Sequence, residues 1–218
     1  MNTRIKAIVE AATSLFLRQG YAQTQISHIA KAAGVSVGTI YHDFTGKNEI
    51  MHMVLKCTID PDFIEQDFDK PISDDLFEGI ENEIVALFKE KEAVFARNLE
   101  NDNYCFETLI SDSFDTLARY AVGCLFIEKN QYEFTFLAEN YKAYRKQFFK
   151  TITQYVSGFI REGTIRPMKH LDLSVTLIIE TLTWWAMDRQ YISFETSAIP
   201  LSLAKEVCMD NLVSAYKM

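Results

Sequence analysis

The segment Ala30-Lys-Ala-Ala-Gly-Val-Ser-Val-Gly-Thr-Ile-Tyr-His-Asp-Phe44 constrains this chain more than any other stretch. It reads as the end of a short helix, a tight turn at Gly34 and a second short helix opening at Ser36. Glycine reaches the left-handed backbone of such a turn without steric cost. A serine hydroxyl at a helix start accepts a bond from an otherwise unpaired N–H. The second helix begins with small polar residues and carries an aromatic at Tyr41. This is the layout of a helix-turn-helix whose second helix enters the DNA major groove, and it points to a DNA-binding regulator.

The flanking residues supply a core for that motif. Ile5, Ile8, Val9, Ala12, Leu15 and Phe16 recur at helical spacing, and Gly20 stands where a C-cap glycine is expected. Thr24 is expected to cap the next helix, whose apolar face is Ile26, Ile29, Ala30 and Ala33. Val35 plugs the core beneath the turn, and Ile40 and Phe44 face inward at a spacing of four. Thr45 is expected to cap a fourth helix that starts around Gly46-Lys47 and runs through Ile50, Val54 and Leu55. The reading is an N-terminal three-helix DNA-binding domain over residues 1–57.

What is left facing outward is suited to nucleic acid. On the second helix of the motif these residues are Ser36, Val37, Thr39, Tyr41 and His42, with Gly38 allowing close backbone approach. Short hydroxyl side chains can reach phosphates or base edges, and a tyrosine can donate its hydroxyl to a phosphate. Lys47 at the start of the fourth helix adds its charge to free N–H groups and a positive dipole end, a phosphate clamp. Thr24 holds the same kind of position one helix earlier. Each residue also has a plain reading: Ser36, Thr24 and Thr45 as caps, Tyr41 as a partly buried ring, Lys47 and His42 as solvated groups. His28, His52 and His170 show no partner pattern. Order and spacing within one short stretch lift the set above those readings.

A net charge of −8 is unexpected for a DNA binder until it is divided. Residues 1–56 hold six basic against three acidic side chains, a balance of +3 that leaves −11 on the remainder. A mildly basic head on an acidic body fits a molecule that docks by one end. The four cysteines lie far apart, with no Cys/His cluster, and read as reduced small hydrophobes with no metal site. Charged Arg4, Lys6 and Glu10 break up any signal pattern, and the most apolar stretch, Leu171 to Met187, contains Asp172 and Glu180. A soluble, cytoplasmic protein is the expectation.

The string from Ile8 through Leu55 resembles the TetR family of transcriptional regulators. The resemblance is densest in Ile26-Ser-His-Ile-Ala-Lys-Ala-Ala-Gly-Val-Ser-Val-Gly-Thr-Ile-Tyr-His-Asp-Phe44, followed by Thr45-Gly-Lys-Asn-Glu-Ile50. It implies an all-α homodimer of nine or ten helices that binds a palindromic operator, with DNA contacts from Thr24, Ser36, Val37, Thr39, Tyr41, His42 and Lys47. Two positions depart from the family pattern. Asp43 stands where an aromatic or basic residue is usual, and a carboxylate there is repelled by phosphate unless it pairs, for example with Lys47 four residues on. Val37 replaces a frequently polar or basic residue and suits apolar contact with a thymine methyl.

The body, 58–218, carries no phosphate loop, nucleophile elbow or metal-spaced histidine pair, and no cofactor is implied. Pro61 and Pro71 bracket an acidic connector, Asp60 to Asp75, containing Phe63, Ile64 and Phe68. Helical patterns follow over 76–96, 104–128 and 132–162, the last expected to bend or break once, before Gly163 and Pro167 open a loop. The helix over 171–191 is apolar on two faces: Leu173, Leu177 and Trp184 with Asp188, and Val175, Ile178, Ile179, Leu182 and Ala186. Such a helix needs two surfaces to bury against. A last helix over 200–217 has a stripe of Ala204, Val207, Cys208, Leu212 and Ala215. The resemblance implies that these two helices form a four-helix bundle across a dimer axis.

The aromatic residues of the middle read mainly as core. The family resemblance adds that some line a small-molecule effector cavity, with Phe106, Tyr120, Tyr141 and Trp184 as candidates. Nothing names the effector, and Glu107, Glu133 and Glu139 suit a cationic ligand or a solvated face equally. The competing readings are an enzyme or small-molecule carrier with an incidental basic head, and, within the family, an activator or a protein-partnered regulator. Salt-dependent DNA affinity separates the first two from a regulator.

Overall fold

A computed structural model of the chain describes residues 3–97, 103–194 and 197–218. The helices are α1 (Thr3–Arg18), α2 (Ile26–Ala33), α3 (Val37–Asp43), α4 (Lys47–Ile59), α5 (Ile80–Arg97), α6 (Phe106–Lys129), α7 (Thr135–Arg161), α8 (Leu171–Thr183), α9 (Arg189–Tyr191) and α10 (Leu201–Tyr216). A π-turn, Trp184–Asp188, joins α8 to α9, and 3₁₀ turns occupy Pro61–Glu65 and Asp74–Phe77. There is no strand among the described residues; isolated bridges pair Phe44 with Ile72 and Ile165 with Lys217. The all-α expectation therefore holds.

Two compact units divide the chain, Met1–Leu87 with Val122–Ala138, and Phe88–Ala121 with Glu139–Met218. The helix-turn-helix read over 1–57 lies inside the first unit, which also takes in residues 58–87 and 122–138. Its core is built from the residues that periodicity selects: Ile5, Ile8, Ala12 and Phe16 of α1, Ile29 of α2, Ile40 and Phe44 at α3, and Ile50, Val54 and Leu55 of α4 are buried. Phe126 from α6 closes edge-on against Phe16, with ring centroids 6.0 Å apart. Gly20 and Gly34 take φ of 91° and 70°, the left-handed region that ends α1 and α2.

In the second unit α7 runs without interruption from Thr135 to Arg161, where a bend or break was expected. No proline falls within it, so its backbone ladder stays complete. A row of rings runs along it: Phe88 against Tyr144, Phe95 against Phe148 and Tyr155, and Phe106 between Phe159 and Tyr216. The π-turn shifts the helical register after Trp184 by one residue. Arg189 is thereby carried inward, and its Nη2 donates to Ser197 O at 2.7 Å and to Ser197 Oγ at 3.0 Å. Regular spacing put Asp188 on the face of Trp184; beyond the register shift it is half-buried.

Candidate nucleic-acid interface

Within the first unit, α2 and α3 form the expected helix-turn-helix. Ser36 caps α3: its Oγ accepts from the Thr39 N–H at 3.0 Å and lies 2.8 Å from Thr39 Oγ1. Ile40 and Phe44 fasten the helix to the core, which fixes its rotation. Ser36, Val37, Tyr41 and His42 are exposed and Thr39 is half-exposed, so the residues read as outward-facing do face outward. This surface offers hydroxyls, one branched apolar group and two aromatic edges, a mixture that can address both base edges and phosphates.

Thr24 and Lys47 are used differently from the sequence expectation. Gln25, not Thr24, is the N-cap of α2, and the His28 ring accepts from the Gln25 N–H at 3.4 Å. Thr24 is buried, its hydroxyl donating to Gly20 O at 2.7 Å and accepting from Gln19 Nε2 at 3.1 Å. Gly46 is the N-cap of α4 in place of Thr45, whose hydroxyl instead donates to Ile72 O at 3.2 Å. Lys47 Nζ donates to Tyr21 O and Thr24 O, both at 2.9 Å, and lies 4.1 Å from the Tyr21 ring centroid. Burial pushes its pKa below the usual lysine value.

Lys47 thus ties the start of α4 to the α1–α2 loop. The same loop is held from the other side by Asn130, whose Oδ1 accepts from the Tyr21 N–H at 2.6 Å while its Nδ2 donates to Phe126 O at 2.7 Å. Tyr21 also meets Phe134 edge-on, at 5.5 Å. If Lys47 acts as a tie, Lys47→Met should lower stability by about 1–2 kcal/mol, because two carbonyls lose a charged donor. The slope of DNA affinity against salt should stay within about half a counterion of wild type. Urea melts and salt-dependent anisotropy check this; a slope lower by about one ion with unchanged stability would restore the phosphate-clamp reading.

Asp43 does not pair with Lys47. It is 0% exposed and accepts from Arg4 Nε at 2.5 Å and Arg4 Nη2 at 2.6 Å. Lys70 Nζ and His42 Nδ1 each lie 3.1 Å from its Oδ1. Burial alone would raise the pKa of this carboxyl; hydrogen bonds from Arg4, His42 and Lys70, with the charge of Lys70, hold it down at about 2. The one acid on the recognition helix is therefore enclosed by basic groups instead of facing DNA bare. Arg4, Lys70, Tyr21 and Asn130 escaped the sequence reading. For Arg4 and Lys70 the only trace there was the oddity of Asp43 itself.

The four effector candidates differ in burial. Phe106 and Tyr141 are buried in the ring row, Tyr141 with its centroid 5.7 Å from Phe88. Tyr120 is half-buried, with the Arg119 guanidinium 5.0 Å from its ring. Trp184 is 46% exposed beside Leu173 at 70% and Leu177 at 60%, while Val175, Ile178, Ile179, Leu182 and Ala186 are buried. The two-faced reading of this helix is met by one face in the core and one in solvent. On α10 the buried stripe is Ala204, Cys208, Leu212 and Tyr216, with Val207 and Ala215 outside it.

Comparison with known proteins agrees with this geometry. Residues 8–54 match the family described as bacterial regulatory proteins, tetR family. The chain is 47% identical to the HTH-type transcriptional regulator HbdR of Aromatoleum sp. (strain CIB) over 53 residues, which span 24% of this chain and 23% of that protein. It is 24% identical to the HTH-type transcriptional repressor KstR2 of Mycobacterium tuberculosis (strain ATCC 25618 / H37Rv) over 190 residues, 84% of this chain and 80% of the relative. The solved structure of the ketosteroid transcriptional regulator KstR2 of Mycobacterium tuberculosis aligns over 100% of this chain and 97% of its own, with a TM-score of 0.56 and 17% identity. At that identity what is shared is the fold. Among the described residues no helix is long and apolar enough to cross a membrane.

Proposed function

We propose that the chain is a transcriptional regulator of the TetR family, a cytoplasmic homodimeric repressor released from a palindromic operator by a small-molecule effector. Residues 1–57 bind DNA in this reading, and 58–218 carry the effector and dimer surfaces. The observation that carries it is α3, a capped helix anchored by Ile40 and Phe44 that offers Ser36, Val37, Thr39, Tyr41 and His42 to solvent. Thr24 and Lys47 support these contacts by bracing the helices from within.

The dimer assignment rests on Leu173, Leu177 and Trp184 of the α8 segment together with Leu203 and Val207 of α10, large apolar side chains left exposed. A two-fold pairing of these helices would cover them and present two recognition helices to successive major grooves. The effector assignment rests on the aromatic row and on Ser113, whose buried hydroxyl lacks a hydrogen-bond partner. An unpaired buried hydroxyl costs about 1–3 kcal/mol, which a ligand able to bond it would recover. That combination suits a largely apolar molecule with a polar substituent.

Anisotropy titration of the protein against its own upstream intergenic DNA at two salt concentrations tests the regulator reading. Tight, salt-sensitive and competitor-resistant binding is expected, and no binding at either salt would overturn it. Tyr41→Ala should weaken specific and random duplexes alike by about 1 kcal/mol, as for a phosphate contact. Thr39→Ala should instead alter preference among operator variants by about 1–3 kcal/mol. Equal losses on specific and random DNA for both variants would contradict this division of labour.

A further inference from the structure

We propose that the connector between α4 and α5 is part of the DNA-contacting surface, and that Lys70, together with Arg4, supplies a duplex-phosphate contact beside the recognition helix. This rests on the operator-binding reading above. The connector folds back on the motif. After the Pro61–Glu65 turn the chain returns as an irregular segment, in which the Ile72 N–H donates to Asp43 O at 2.8 Å and Ile72 O accepts from the Thr45 N–H at 3.0 Å. These bonds seize the backbone on both sides of Phe44, where α3 ends.

The return is anchored along its length. Ile72, Phe63 and Phe77 are buried, with Phe63 in ring contact with Phe68 and Phe77. Asp74 accepts from Asn48 Nδ2 at 2.9 Å and lies 2.7 Å from His52 Nδ1, while Lys6 of α1 pairs with Glu65. Lys70, two residues before Ile72, is delivered to the C-terminal end of α3, where it shares Asp43 Oδ1 with the exposed His42.

The charge arrangement at that point favours an anion. Asp43 is wholly buried, whereas the side chains of Arg4 and Lys70 are 44% and 26% exposed. One enclosed negative charge therefore holds two accessible positive ones. Arg4 directs Nε and Nη2 at the carboxylate and Lys70 one ammonium contact, so each retains further N–H donors. A cation fixed by an internal carboxylate loses little side-chain freedom on meeting a phosphate, and the contact strengthens binding without reading sequence. Lys47, the clamp anticipated from sequence, already has two carbonyl acceptors, which leaves this pair as the better-placed source of positive charge at the recognition helix.

Anisotropy titrations of the full chain from about 50 to 200 mM salt, on operator and on random duplex, test the proposal. Lys70→Gln should weaken both by a similar factor and lower the slope of log affinity against log salt by about one. Lys70→Arg should restore the slope, and Lys91→Gln on α5 should leave it unchanged as a control for net charge. Thermal melts report whether Lys70→Gln remains folded. Reduced affinity with an unchanged salt slope would show that Lys70 only braces Asp43, and would overturn the proposal while the regulator reading stood. Absence of wild-type binding would overturn both.

Discussion

In the proposed α8–α10 dimer, Leu177→Lys is expected to shift the protein to monomer at micromolar concentration and to cost most of its operator affinity. Leu177 is 60% exposed in the isolated chain, one turn from Leu173 and in line with Trp184. In a two-fold interface each substitution counts twice. Burying a leucine contributes about 2 kcal/mol, so the pair of losses alone approaches 4 kcal/mol. That is roughly a thousandfold in dimer dissociation constant, before the repulsion of two lysines brought together across the axis is added. Operator affinity follows, because separated recognition helices no longer share one binding event. Sedimentation equilibrium and anisotropy on the same samples check the prediction. A Leu177→Lys protein that stays dimeric and binds operator normally would remove α8 from the interface.

Asp43→Asn is expected to lower stability at pH 7 by about 2 kcal/mol, with the deficit shrinking in acid. The carboxyl has a pKa of about 2 in the folded chain against an ordinary 3.8. A depressed folded-state pKa contributes stability that is complete above the unfolded value. It is lost as pH falls through the folded one. The gap between wild type and variant should therefore be full above pH 5, roughly halved by pH 3 and nearly gone below pH 2. Because Arg4 is half-exposed, water screens part of the interaction, which makes about 2 kcal/mol an upper value. Urea melts of both proteins across that range provide the measurement. A stability difference that stayed constant from pH 7 to pH 3 would mean that the carboxyl acts through shape and not charge.

Features legible in the sequence were those whose cause lies within a turn or two of the chain. Gly34 ends α2 because only a residue without a side chain enters its φ of 70° freely. Ser36 caps α3 because its hydroxyl reaches an N–H three residues on. The inward pair Ile40 and Phe44 and the outward Ser36, Val37, Tyr41 and His42 follow from 3.6 residues per turn. The same periodicity exposed both faces of the helix that begins at Leu171 and lost that helix beyond Trp184, where the π-turn changed the register; on α10 it also drew Val207 and Ala215 into a stripe that they lie outside.

Roles that depend on distant partners were decided by the tertiary structure alone. Asp43 meets Arg4 across 39 residues, Lys47 reaches Tyr21 and Thr24 across 26 and 23, and Tyr21 meets Asn130 across 109. A charge seeks the nearest opposite charge in space, and spacing of four along a helix is only one way to bring charges close; Asp43 and Lys47 have that spacing and take other partners. The fold-back of the connector onto Phe44 has the same origin, since its bonds are backbone groups of Asp43, Thr45 and Ile72 that every sequence carries. Local sequence thus determined where α1 to α4 form and which side of α3 faces solvent. The way the chain returned on itself decided which charged groups brace that helix and which keep part of their surface in solvent.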